Sequence, residues 1–185
     1  MAVATELTGG AFLLQNTNPA NVFIPEEFTE EQKMIYHTVK DFMLKEVHGL
    51  GIARVASLDA EKDKDIVMDV FRKADELGLC GVSVDEKYGG MGLDFNTALL
   101  FTEGLAGGFS FATTIGCQTS IGSLPIAWYG TEEQKKKYLP KLASGEWIGA
   151  WGLTEANTGS DSGNMRCNAV KDGDEWVING TKNWI

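Results

Sequence analysis

Between Trp151 and Asp161 the sequence WGLTEANTGSD places the hydroxyl side chains of Thr154 and Ser160, among others, in a short polar stretch with Gly159. Hydroxyls donate and accept hydrogen bonds, and a glycine lets a ligand come close to the backbone. Trp151 opens this stretch and Trp184 lies in the closing segment Lys182–Ile185 (KNWI). Both offer flat apolar faces suited to an aromatic cofactor. Read from chemistry alone, a strand ends at Thr154 and runs into a loop that either contacts a ligand or is a plain surface turn.

Other chemically suggestive patterns carry less. Gly89, Gly90 and Gly92 hint at a phosphate loop, but the GxGxxG spacing and a βαβ context are absent, so they read as turn glycines. Asp59, Glu61, Asp63 and Asp65 alternate as in a calcium loop without its glycine or distal glutamate, and read as a solvated helix start. Lys135, Lys136, Lys137 and Lys141 read as a solvated helix face rather than a docking patch. Cys80, Cys117 and Cys167 show no metal spacing and read as free thiols in a reducing, cytoplasmic setting. His37 and His48 are the only histidines, so no metal site is assigned.

The elements that would position these residues divide at Gly145. Residues 1–27 read as an extended arm, and 28–145 as a helical domain. Thr29–Val47 opens with the capping box Thr29/Gln32 and carries Met34, Ile35, Val39, Phe42 and Met43 on one face. A helix over Lys64–Leu77 has the stripe Ile66, Val67, Val70, Phe71 and Ala74, with Gly78 as its left-handed stop. Cys80–Met91 reads as a loop. Helices follow over Phe95–Ala106, over Ser110–Tyr129 with a break near Gly122–Pro125, and over Thr131–Ala143, capped by Thr131/Gln134. Beyond Gly145, Arg166–Val170, Glu175–Asn179 and Thr181–Ile185 read as short strands joined at Asp172-Gly173 and Asn179-Gly180. Helices first and antiparallel strands second make the fold α+β, with 146–185 as the start of a β-domain that looks incomplete.

The 185 residues carry 16 Lys and Arg against 26 Asp and Glu, a formal net charge of -10. That sign disfavours nucleic acid, which requires cationic side chains to displace counterions. Hydrophobic residues make up 43%, enough for a packed core. The segment MAVATELTGG shows neither signal nor transit peptide, and the weakly polar run Gly108–Gly130 fits a buried helix pair better than a membrane span.

The stretch LTEANTGSD resembles the acyl-CoA dehydrogenase signature, roughly L-T-E-P-x-x-G-S-D, and Gly180–Ile185 (GTKNWI) resembles that family's G-x-K-x-W-I element. Glu86–Asp94, Gly130–Glu146 and Asp174–Lys182 are similar to further family segments in the same order. The resemblance runs from Phe28 onward. It implies FAD between the β-domain and C-terminal helices, with Trp151, Leu153, Thr154, Gly159, Ser160, Trp184 and Ile185 beside the flavin. Ser160 would also reach the acyl-CoA substrate, and Gly116 and Cys117 would line the acyl tunnel.

The implied reaction is α,β-desaturation of fatty acyl-CoA thioesters in β-oxidation, with an electron-transfer flavoprotein as acceptor and a homo-oligomeric complete protein. The family's glutamate base matches no residue here and is expected beyond Ile185; Glu103 and Glu155 are given structural roles. The chain on its own is therefore expected to be inactive. The arm Gly9–Thr29 resembles the long- and very-long-chain branch. Ala156 departs from the family's usual proline, which removes a backbone restriction on Glu155. A non-catalytic helical interaction module, a truncated paralogue and an acyl-CoA oxidase are the competing readings.

Overall fold

Six α-helices and one β-hairpin follow in order along the residues that the computed structural model describes, 9–51 and 62–185. Asp59 and Glu61 of the calcium-like pattern lie outside those residues. The arm consists of short 3-10 turns at Gly9–Leu13, Pro19–Asn21 and Pro25–Glu27.

Helix α1 spans Glu30–Phe42 and continues through one π-helical stretch, Met43–Val47. Its cap works as the sequence predicts: Gln32 N donates to Thr29 Oγ1 at 3.2 Å, and Thr29 N donates to Gln32 Oε1 at 3.0 Å. The same Gln32 side chain donates to Thr97 Oγ1 at 3.1 Å, which ties the start of α1 to that of α3 (Phe95–Gly104). Val39, Phe42, Met43 and Val47 are buried, whereas Met34 is 60% exposed. At 100° per residue, position 34 falls one step off the 35–39–42–43 stripe and joins the polar side with Thr38 and Asp41.

Helix α2, Lys64–Asp75, buries Val70, Phe71 and Ala74, and Gly78 beyond it is left-handed at φ 71°. Phe71 meets Phe111 edge-on with ring centroids 5.6 Å apart. Phe111 belongs to α4 (Phe109–Thr119), so the main core gathers α1 with its π extension, α2, α3 and α4. Helices α5 (Leu124–Tyr129) and α6 (Glu132–Ala143) form a second cluster, in which Leu139 and Ala143 pack with Val84 and Tyr88. The break that separates α4 from α5 falls at 120–123, as expected around Gly122.

The glycine-rich loop folds back on itself. Met91 N donates to Gly81 O at 2.9 Å, Gly92 N to Val84 O at 2.8 Å and Leu93 N to Val82 O at 2.9 Å. Gly89 and Gly92 have φ of 86° and 61°, and a side chain on Gly90 would run into the Val84 backbone. Packing and turn geometry thus account for these glycines.

Strands β1 (Asn168–Asp172) and β2 (Glu175–Asn179) pair antiparallel, with Asp172 opposite Glu175 and Gly173 at φ 58° in the tight loop. The helical part followed by a small antiparallel sheet is the α+β arrangement. The strand expectations at either side need correction. The amides of Arg166 and Cys167 donate to a side chain instead of a ladder, so β1 starts at Asn168. Thr181–Ile185 forms no strand, and Asn179-Gly180 no hairpin, because Lys182 and Asn183 bond to residues 153–155. Residues 147–154 likewise form no strand; the isolated bridge Glu155–Thr158 follows them. Among the described residues no helix is long and apolar enough to cross a membrane, and no His/Cys/Asp/Glu group could hold a metal ion.

Two glycines separate packing from propensity. Nothing lies within 4 Å of a Cβ placed on helical Gly116, so Gly116→Ala should raise stability by about 0.5–1 kcal/mol. Gly90→Ala should lower it by about 1–3 kcal/mol through overpacking against Val84. Urea midpoints at unchanged m-value check both signs.

Candidate flavin and thioester site

Residues 152–155 and 182–185 lie side by side, joined by hydrogen bonds. Lys182 Nζ donates to Leu153 O at 3.0 Å and to Glu155 Oε1 at 2.9 Å, and Asn183 N donates to Thr154 O at 2.7 Å. Gly152 packs against Lys182 and Ile185. Glu155 also accepts from the backbone N–H of Arg166 at 2.7 Å and of Cys167 at 3.0 Å. Its carboxylate therefore collects three donors. The Lys182 hydrogen bond first, then that from the Arg166 backbone, holds its pKa far below the ordinary 4.5, at about 2. Glu155 is structural here, as the sequence suggests; a base kept ionised by three donors has little affinity for a proton.

The turn beyond it is tight. Glu155 N donates to Thr158 O at 2.9 Å and Thr158 N to Glu155 O at 3.1 Å, with Ala156 and Asn157 between. Thr158 is buried, and its hydroxyl donates to Asn164 O at 3.0 Å. These bonds hold the loop where Ala156 replaces the usual proline.

The hydroxyls of Thr154 and Ser160 have no protein partner among the described residues; Thr154 is half-buried, whereas Gly159 and Ser160 lie on the exposed turn. Leu153 is half-buried and Trp151 is 49% exposed. Trp184 adopts φ 63°, a left-handed conformation costly for a bulky residue, and presents its indole 96% exposed. Ile185 beside it is also exposed. An unpartnered Thr154 hydroxyl on a segment bonded to the one that carries an exposed, backbone-constrained indole fits an aromatic ring system with polar edges, such as an isoalloxazine.

Gly116 and Cys117 lie half-buried on α4, outside this cluster. The connection to it is Gln118, which the sequence reading passes over. Fully buried, it donates from Nε2 to Leu142 O at 2.7 Å and to Trp147 O at 3.0 Å, and accepts at Oε1 from Gly149 N at 2.6 Å. A polar residue amid the apolar run of α4 was the available signal; its partners are 24 to 31 residues away and leave no local trace.

Residues 29–146 match the family described as "Acyl-CoA dehydrogenase, N-terminal domain". The chain belongs to the acyl-CoA dehydrogenase family. It is 41% identical to a probable acyl-CoA dehydrogenase of Bacillus subtilis (strain 168) over 96% of this chain and 29% of that protein. It is 37% identical to the mitochondrial short/branched chain specific acyl-CoA dehydrogenase of Bos taurus, over 86% of this chain and 36% of that one. Among solved structures, acyl-CoA dehydrogenase complexed with FAD from Bacillus anthracis superposes with a TM-score of 0.87 at 40% identity, covering 96% of this chain and 30% of that one. The chain thus spans about a third of the length of these relatives. FAD is the cofactor of the family. The relatives named here are generic or short/branched chain enzymes and lend no support to the long-chain branch.

The depressed pKa of Glu155 dictates a direction with pH. Its stabilising effect is fully present above its ordinary 4.5 and is lost as pH falls toward about 2. Wild type should melt above Glu155→Gln near neutrality, with the gap closing over that acid window. A gap unchanged with pH in thermal scans would show that the charge on Glu155 does not support the fold.

Proposed function

We propose that this chain forms the helical domain (28–145) and the flavin-facing start of the β-domain (146–185) of an acyl-CoA dehydrogenase that desaturates the α,β bond of acyl-CoA thioesters, as in fatty acid β-oxidation. The observation that carries this reading is the bonded pair of signature segments, 152–155 with 182–185, which carry the unpartnered Thr154 hydroxyl and an exposed indole.

Bound FAD would supply the hydride acceptor. Thr154 would hydrogen-bond the edge of the ring, Leu153 and Trp151 would pack beside it, and Trp184 and Ile185 would cover it and exclude water. Gly159 and Ser160 would contribute backbone and hydroxyl contacts, with Ser160 also touching the thioester ligand. The α-proton is removed by a carboxylate that we assign to no residue within 1–185. Electrons then pass to an electron-transfer flavoprotein, from a homo-oligomer in a reducing, cytoplasmic compartment; the free Cys80, Cys117 and Cys167 agree with that setting.

Gly116 and Cys117 bear on substrate length. The open space beside Gly116 supports a wall that admits a long acyl chain, and this part of the proposal stands on these residues alone.

The test is the visible spectrum of the full-length protein, followed by anaerobic titration with butyryl-, octanoyl- and palmitoyl-CoA. Flavin absorbance at one FAD per subunit, bleached by acyl-CoA, is expected. A protein that stays colourless with added FAD, or a flavin that none of these thioesters bleaches, overturns the reading. A preference for butyryl-CoA overturns only the long-chain part.

A further inference from the structure

We propose that Gln118 is a positioning residue that sets the gap between the acyl-facing helix α4 and the flavin-facing segment Trp151–Thr154. This rests on the reading above, in which Gly116 and Cys117 face the acyl chain and Trp151–Thr154 the flavin. The side chain is wholly buried, and each end of its amide is used. Nε2 bonds the carbonyls of Leu142 and Trp147, and Oε1 accepts the Gly149 N–H at 2.6 Å, two residues ahead of Trp151.

Holding the end of α6 to α4 would require only the Leu142 bond. The bonds to Trp147 and Gly149 are directed at the segment that enters the site. There the two backbones touch. A Cβ on Gly149 would lie 2.8 Å from Gly122 Cα, and one on Gly122 would lie 2.9 Å from Gly149 Cα. The turn carrying Gly122 is itself held to α4, since Gly122 N donates to Cys117 O at 2.8 Å and Ser123 Oγ donates to Gln118 O at 2.6 Å. The amide thus clamps a glycine–glycine contact whose sides lead, within five residues, to Cys117 and to Trp151–Thr154. Without it, the Trp147 carbonyl and the Gly149 N–H lose this partner, while Leu142 O keeps the Gly145 N–H at 3.2 Å, and the gap between the two walls is free to change. Misplacement by about an ångström at a reacting centre is costly in rate.

Gln118→Glu separates this from a merely structural role. It retains the acceptor for Gly149 but sets a carboxylate against the carbonyls of Leu142 and Trp147. Protonating that carboxyl, which burial favours, restores one donor. In the full-length FAD-loaded protein, KM for acyl-CoA should rise on the order of tenfold at about pH 8 and recover in part toward about pH 6. Gln118→Met, with no donor, should show the rise at both pH values. Gln118→Asn, which keeps the amide at shorter reach, replaces either variant if it does not fold and should show a smaller rise. Val70→Ala, a core truncation on α2, serves as a destabilised control that keeps the wild-type KM and pH profile. If the Gln118 variants match that control, Gln118 does not position the site. If wild type itself is not bleached by any acyl-CoA, the functional reading fails, and this inference with it.

Discussion

The carboxylate of Glu155 gathers the Lys182 ammonium and the backbone amides of Arg166 and Cys167 at one point. Those donors come from two stretches of chain, 166–167 and 182, that lie 11 to 27 residues from it. Ionised and only 9% exposed at its side chain, it would be costly to leave with any fewer partners. The consequence is spatial: Lys182 is drawn against Leu153, Asn183 bonds Thr154, and Trp184 is left at φ 63° facing outward. One acid therefore decides where the strand β1 may start, why Thr181–Ile185 does not pair, and which side the indole faces.

A second constraint is the buried amide of Gln118, which connects this cluster to the helices. The helix that carries it packs into the main core with Phe71, Phe101, Phe111 and Ile115, a stiff platform. An interior of that density transmits displacement instead of absorbing it. The helical part thus holds the segment that leads from Trp147 to Gly149 as well as enclosing a core. The hairpin contributes little to that frame, since Val170, Trp176, Val177 and Ile178 remain exposed.

Local features were legible wherever the partners are close in sequence. Both capping boxes, the left-handed Gly78, the break before Pro125 and the loop at Gly173 involve bonds within about one turn, so residue type and spacing suffice to read them. The family was legible too, because LTEANTGSD and GTKNWI keep their residues and order. The strand misreadings at 166–167 and 181–185 share one cause. Arg166, Cys167 and Thr181–Ile185 have strand-like residue types, but long-range bonds took backbone groups that a ladder would have used: the Arg166 and Cys167 amides go to the Glu155 carboxylate and the Asn183 amide to Thr154 O.

What the sequence by itself determined is the run of helices, their caps, the hairpin turn at Asp172-Gly173 and the membership of a flavin-dependent family; each is encoded by short-range periodicity or contiguous motif. Tertiary structure alone decided that Glu155 and Lys182 meet, that Gln118 spans from α4 to Gly149, and that Gly122 and Gly149 touch backbone to backbone. Those contacts join residues 27 to 31 positions apart. Only folding creates the low-dielectric surroundings in which one carboxylate or one amide can dictate the course of the chain.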